Sequence, residues 1–260
     1  MTHTPAASTA ERRMTFEEYL RYDDGTDMRY ELVRGLLVPM ANPPAEHELV
    51  VSYAAGVLLR HVARHGLPYV VRVNAGVQTE VDTSRLPDIA VYDAVVWEWL
   101  LREGGAAVLR LGEPMRLVVE VTSENWREDY DEKRAEYEWC GIPEYWVIDR
   151  RRQMRALAFG QDGKYVEEVL RPGGTLRSRV LEGFVTPVES LLSPPSPEEV
   201  VQEELARLAQ AQEEALEARR LLEVERQRAN AERRRAEAAE AQARRLAERL
   251  RALGLETDDL

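Results

Sequence analysis

Arg116-Leu-Val-Val-Glu-Val-Thr122 decides the fold. A short apolar run without a turn residue reads as a strand covered on both faces. Glu120 stands inside it. A lone carboxylate in such a place costs on the order of several kcal/mol unless a positive partner compensates it. Side chains alternate along a strand, so Val118, Glu120 and Thr122 share one face. Two readings of Glu120 are open from the residues alone: a structural ion pair, or a metal ligand at the rim of that face.

Working outward, the spacing predicts a helix over about 126–140, stopped by Gly141 ahead of Pro143, then a second buried strand, Glu144-Tyr-Trp-Val-Ile-Asp149. Upstream, Thr15-Phe-Glu-Glu18 is a capping box opening a short helix. Tyr30 to Val38, broken by Arg34-Gly35, reads as a β-hairpin. A helix is expected over 46–65 with Leu49, Tyr53, Val57 and Leu58 inward, followed by strands near 69–73, 76–81 and 88–92. Asp93 to Glu103 reads as a helix with Val96, Trp97, Leu100 and Leu101 on one side, and strands continue from the second buried strand to about 187. Strands and helices mixed around a central sheet make the class α/β or α+β.

The expected organisation is a disordered N-terminus over 1–13, a domain over 14–192, a proline-rich linker over 193–197 and a long helix over 198–260. From Glu198 to Leu253 there is no Gly, Pro or aromatic residue, and Ala, Glu, Arg, Leu and Gln dominate. A heptad seam runs through Leu205, Leu208, Gln212, Ala215, Arg219 and Leu222 and then fades. It reads either as a weak coiled coil that docks a partner or a second copy, or as a solvated single helix.

The 260 residues carry a formal net charge of -12. That opposes indiscriminate binding to nucleic acid, although arginines at 60, 64, 72, 150, 151 and 152 could form a local basic channel. Cys140 is the single cysteine, which excludes an internal disulfide and a thiolate zinc cluster and fits a reducing compartment. It stands at a helix end, where packing explains it better than nucleophilic chemistry. The first residues lack an apolar leader and no run is long enough to span a bilayer, so the expectation is cytoplasmic with no membrane partner. Lysine occurs only as Lys133 and Lys164, against an arginine-rich background. A compact ammonium can sit at a reacting water where a guanidinium cannot.

Asp88 follows Pro87 at the head of a candidate strand. It reads as a turn residue or, with Glu120 on another strand, as half of a carboxylate pair that a divalent cation would relieve. Asp129, Lys133 and Tyr137 fall at i, i+4 and i+8 on the helix after the Glu120 strand. Lys133 is then either a surface lysine paired with Asp129 or a charge aimed at Glu120. Together these residues resemble the PD-(D/E)xK nuclease superfamily, and more narrowly the Uma-two family. The resemblance covers about 14–192. It rests on Tyr30-Glu-Leu-Val-Arg-Gly35, Pro87-Asp88, Val118-Val-Glu-Val-Thr-Ser123, Glu132-Lys133 and Gly141-Ile-Pro-Glu-Tyr-Trp-Val-Ile-Asp149. It departs from the general superfamily motif at Thr122, where a lysine would stand; Lys133 on the next helix takes that place.

The resemblance implies a restriction-endonuclease-like sheet flanked by helices and hydrolysis of phosphodiesters, most naturally in DNA; a homodimer is then expected, because two active sites can cut two strands. It implies that Asp88, Glu120 and the Val121 carbonyl hold Mg2+ or Mn2+, with Lys133 beside them. Glu31 would place the metal or a water, and His47 would contact a phosphate or move a proton. Gln78 and Asp129 are outer candidates. Two other readings stay open: a silent nuclease-fold scaffold, and a nuclease acting on RNA.

Overall fold

The computed structural model describes residues 13–26, 28–122, 127–151 and 153–252. The expectation of a disordered N-terminus falls almost wholly outside these residues, as do Arg152 and the last residues of the tail. The chain divides into two units, 1–195 and 196–260.

The first unit is built on a mixed six-stranded sheet. Its members are β3 (Tyr69–Val73), β6 (Ile89–Asp93), β8 (Met115–Val121), β9 (Glu144–Asp149), β10 (Gln153–Phe159) and β11 (Tyr165–Leu170). Their order is β11-β10-β9-β8-β6-β3. β8 and β9 run parallel, with Val121 opposite Ile148, and the remaining neighbours are antiparallel. A second sheet holds β1 (Tyr30–Val33), β2 (Leu36–Pro39), β4 (Gly76–Glu80), β5 (Thr83–Arg85) and β7 (Val108–Leu109), in the order β2-β1-β5-β4-β7. β12 (Thr175–Arg177) and β13 (Val185–Pro187) form a small ribbon.

Alternation along β8 separates two cores. Leu117, Val119 and Val121 pack with Val50, Val51, Ala54, Leu58 and Val62 of α2 (Ala45–His65) and with Leu191 of α5 (Val188–Leu192). Val118 faces the other way, among Tyr92, Tyr130, Tyr137, Tyr145 and Val147. That second core receives Val96, Trp97 and Leu100 of α3 (Ala94–Glu103) and Tyr137 of α4 (Lys133–Trp139). Glu120 lies two residues beyond Val118 and so faces α4. The two-sided burial expected of this strand is observed, since β8 is buried at every position but Arg116.

The capping box at Thr15 is present and opens the short α1 (Phe16–Tyr19). The hairpin turn at Arg34-Gly35 has both residues at positive φ, 51° and 81°, as a tight two-residue connection requires. Three expectations need correction. The inward face of α2 centres on Val50, Val51, Ala54, Leu58 and Val62 rather than on Leu49, Tyr53 and Val57, which are only partly buried. Leu101 is exposed, because the apolar stripe of α3 ends at Leu100. The helix expected over 126–140 is not uniform: Glu128–Glu132 form a π-helical turn that closes when Lys133 N–H donates to the Glu128 carbonyl. Such wide turns inside helices concentrate at functional sites.

Among its described residues the second unit is one helix, α6 (Pro197–Ala252), with no buried residue. Ser196 and Glu199 form a reciprocal cap at its start, the Glu199 amide donating to Ser196 Oγ and the Ser196 amide to Glu199 Oε2. Pro197 occupies the first helical position, where its missing N–H costs nothing. Among the described residues no helix is long and apolar enough to cross a membrane.

Candidate active site

Asp88 lies immediately before β6. Ile89 is opposite Val119, so the same register carried one step further sets Asp88 across from Glu120. Facing residues of an antiparallel pair have Cβ atoms about 5 Å apart. The Asp88 carboxylate accepts the Val121 amide at 2.7 Å through Oδ2. The same oxygen lies 3.2 Å from His47 Nε2, at the start of α2.

Glu120 is 3% exposed. Its Oε1 accepts the Tyr137 hydroxyl at 2.7 Å and lies 3.1 Å from the Lys133 ammonium. Lys133 is equally close to Asp129 Oδ1, at 3.1 Å. The surface-lysine reading therefore gives way: Lys133 pairs with Asp129, as expected of a surface residue, but is buried and reaches Glu120 as well. The Tyr145 hydroxyl donates to the Asp129 carbonyl and stabilises the π-helical turn from the sheet side.

Charge balance here is uneven. Burial pushes the Glu120 carboxyl well above the usual range, and the acids of Asp129, Asp88 and Glu31 push it further, against the pull of Lys133. Asp129 is raised by burial in the same way. Burial opposes the charge on Lys133, yet Glu120 and Asp129 hold its pKa well above the ordinary lysine value. Burial likewise opposes protonation of His47, while the Asp88 carboxylate, aided by Glu48, raises it overall. His47 Nδ1 is buried without a hydrogen-bond partner.

Glu31 on β1 is buried and fully engaged. Its Oε1 accepts the Leu86 amide at 2.9 Å and its Oε2 accepts Arg85 at 3.0 Å. It therefore braces Leu86, two residues before Asp88, and acts on Glu120 through space. Gln78 is occupied elsewhere, receiving the Leu111 amide and donating to the Val81 carbonyl. Cys140 is half-buried and burial raises its thiol to about 12, consistent with packing rather than reactivity. Of the arginines named for a basic channel, Arg72 lies over the Trp97 ring and Arg150 is bound to Glu46 and the Leu192 carbonyl.

Among the described residues no three His, Cys, Asp or Glu side chains form a ready metal cage. The donor set is two facing carboxylates, Asp88 and Glu120. This fits magnesium, which needs only one or two carboxylates because it keeps several of its waters. The excess of acid around Glu120 fits a cation for the same reason.

Arg85 had no signal in the sequence. It lies in the polar three-residue strand β5, yet is completely buried. It meets Glu31, Glu128 and Glu136, and the last accepts two bonds, at 2.8 and 2.7 Å.

The chain was compared with known proteins. A solved structure from Anabaena variabilis ATCC 29413, described as a "putative nuclease belonging to DUF820", superposes with a TM-score of 0.57 at 16% identity, covering 69% of this chain and 98% of that one. At that identity the likeness establishes the fold, which is the mixed-sheet architecture expected. No curated protein matches. The family model described as "Putative restriction endonuclease" matches residues 16–189, the stretch that contains Glu31, His47, Asp88, Glu120 and Lys133. A match over most of its length means that this chain belongs to the Uma2 family.

Proposed function

We propose that the chain is a metal-dependent endonuclease that hydrolyses phosphodiester bonds in DNA. The observation that supports this most is the opposition of Asp88 and Glu120 across β6 and β8, with the Lys133 ammonium 3.1 Å from Glu120. Asp88, Glu120 and the Val121 carbonyl would hold Mg2+ or Mn2+. When bound, such an ion supplies a polarised phosphoryl oxygen and an acidified water. Lys133 orients the attacking water and neutralises charge growing at phosphorus, and its burial beside Glu120 strengthens the effect. His47 moves a proton or contacts phosphate, oriented by Asp88. Glu31 keeps the Leu86–Asp88 segment in place. No covalent enzyme intermediate is required.

A homodimer suits this reading, since two such centres can cut two strands, and α6 is the segment available for association. The single cysteine suits a cytoplasmic setting. The net charge of -12 favours a second reading, in which the fold is kept as a silent scaffold and α6 recruits a partner. RNA as substrate is the remaining variant of the first reading.

The test uses purified protein with plasmid, single-stranded DNA and RNA, in magnesium, manganese or chelator. Asp88→Asn, Glu120→Gln and Lys133→Met are compared with wild type. Metal-dependent cleavage lost in all three supports the enzyme. Cleavage that survives Glu120→Gln comes from a contaminant and removes the site. No cleavage by wild type on any substrate leaves the scaffold. Truncation after Ser193 followed by sedimentation tests association; an unchanged number of subunits refutes dimerisation through α6.

A further inference from the structure

We propose that Arg85 is a positioning residue that sets the roll of the Lys133 helix and thereby holds the ammonium on Glu120. The inference rests on the reading of Lys133 as a site residue. It comes from two adjacent stripes along the π-helical turn and α4. Glu128, Glu132 and Glu136 recur every four residues and all approach Arg85, at 2.6, 3.9 and 2.7 Å. Asp129, Lys133 and Tyr137 recur every four residues one position later. In that stripe Lys133 and Tyr137 reach Glu120, and Lys133 also holds Asp129. One stripe grips a guanidinium and its neighbour serves the candidate site.

Rolling the helix by one residue would exchange the stripes and bring glutamates against Glu120. Arg85 opposes this roll for a geometric reason. Its planar fork binds Glu136 through two nitrogens, which fixes direction as well as distance. Thr79 Oγ1 donates to the same glutamate from β4. The third nitrogen contact ties the guanidinium to Glu31, which holds the Leu86 amide. The segment leading to Asp88 and the helix bearing Lys133 are therefore referenced to one rigid group. Lysine could supply the charge but not the fork.

The chain's scarcity of lysine makes the test direct. Reductive methylation of the full-length protein, read by mass spectrometry, reports two side-chain amines. Lys164 is 72% exposed and serves as internal control, whereas the Lys133 side chain is 11% exposed. In wild type Lys133 should be protected. In Arg85→Gln its labelling should rise by about tenfold or more, with cooperative unfolding retained and Lys164 unchanged. If Arg85→Gln does not fold, Glu128→Gln and Glu136→Gln each release one grip, and each should raise Lys133 labelling severalfold. Folded variants in which Lys133 stays as protected as in wild type overturn the proposal.

A kinetic arm separates this from general structural support. Arg85→Gln should lower kcat by about 100-fold with KM little changed, as expected when a reacting group is misplaced by roughly 1 Å. Adding it to Lys133→Met should cost much less than it costs in the wild-type background. Full kcat in a folded Arg85→Gln overturns the proposal even if Lys133→Met is inactive. If wild type cleaves nothing yet Lys133 is unmasked in the variants, the clasp stands and the nuclease reading falls.

Discussion

The same local pair occurs in two settings. Asp129 and Lys133 stand four residues apart with 3.1 Å between their charges. Glu203 and Arg207 stand four apart on α6 at 2.7 Å. The tail pair is closer, but its side chains are 61% and 56% exposed, whereas those of Asp129 and Lys133 are 12% and 11% exposed. Separation therefore does not rank them. In water two such charges attract by about 1 kcal/mol, and salt screens even that. Away from water the attraction grows, but so does the penalty for leaving either charge alone. The tail is tolerant and the site is all-or-none, though both use one motif.

Substitution of Lys133 tests this contrast hardest. Lys133→Met should lower cleavage by about a thousandfold, the upper range for removing one group that stabilises transition-state charge. Urea unfolding of the same variant should show a loss of roughly 3–5 kcal/mol, because Glu120 and Asp129 are left without their cation. Equal stability would mean that the pair is solvated in solution and would erase the contrast. Tyr137→Phe is a finer probe, removing only the hydroxyl bonded to Glu120. A loss of about 1–3 kcal/mol by urea unfolding is expected where a buried acceptor loses its donor. Arg207→Ala should move helix stability, followed by circular dichroism, by no more than about 0.5 kcal/mol, and that shift should vanish in high salt. A larger, salt-resistant shift would show that α6 is buried against something in solution.

Much of this was legible before any coordinates. Glu120 stood out because an acid interrupts an apolar strand, and the four-residue spacing put Lys133 and Tyr137 on one stripe. Pro87-Asp88 was weak alone and gained meaning only with a second acid. Arg85 was not legible. The short polar segment Thr83-Ser-Arg85 falls between the strands expected near 76–81 and 88–92, and burial of its arginine depends on four glutamates from β1, the π-helical turn and α4. The role of Glu128, Glu132 and Glu136 is hidden for the same reason: their common partner lies about fifty residues away in sequence. The π-helical turn has no local signature, since it follows from tertiary demands on both stripes. The inward face of α2 was displaced by about one residue because its many apolar positions admit more than one stripe.

The parallel register between β8 and β9 decides where the chain tolerates an insertion. Two neighbouring strands that run the same way oblige the chain between them to return across a face of the sheet. The π-helical turn and α4, which bear Lys133, lie on that return path. Hairpin connections such as Gly160 to Lys164 can accept insertions at little cost. An insertion inside the π-helical turn or α4 would instead break the four-residue spacing of Asp129, Lys133 and Tyr137. Growth of the Gly160–Lys164 hairpin should therefore leave the Lys133–Glu120 contact intact, whereas a residue inserted between Asp129 and Tyr137 should abolish it.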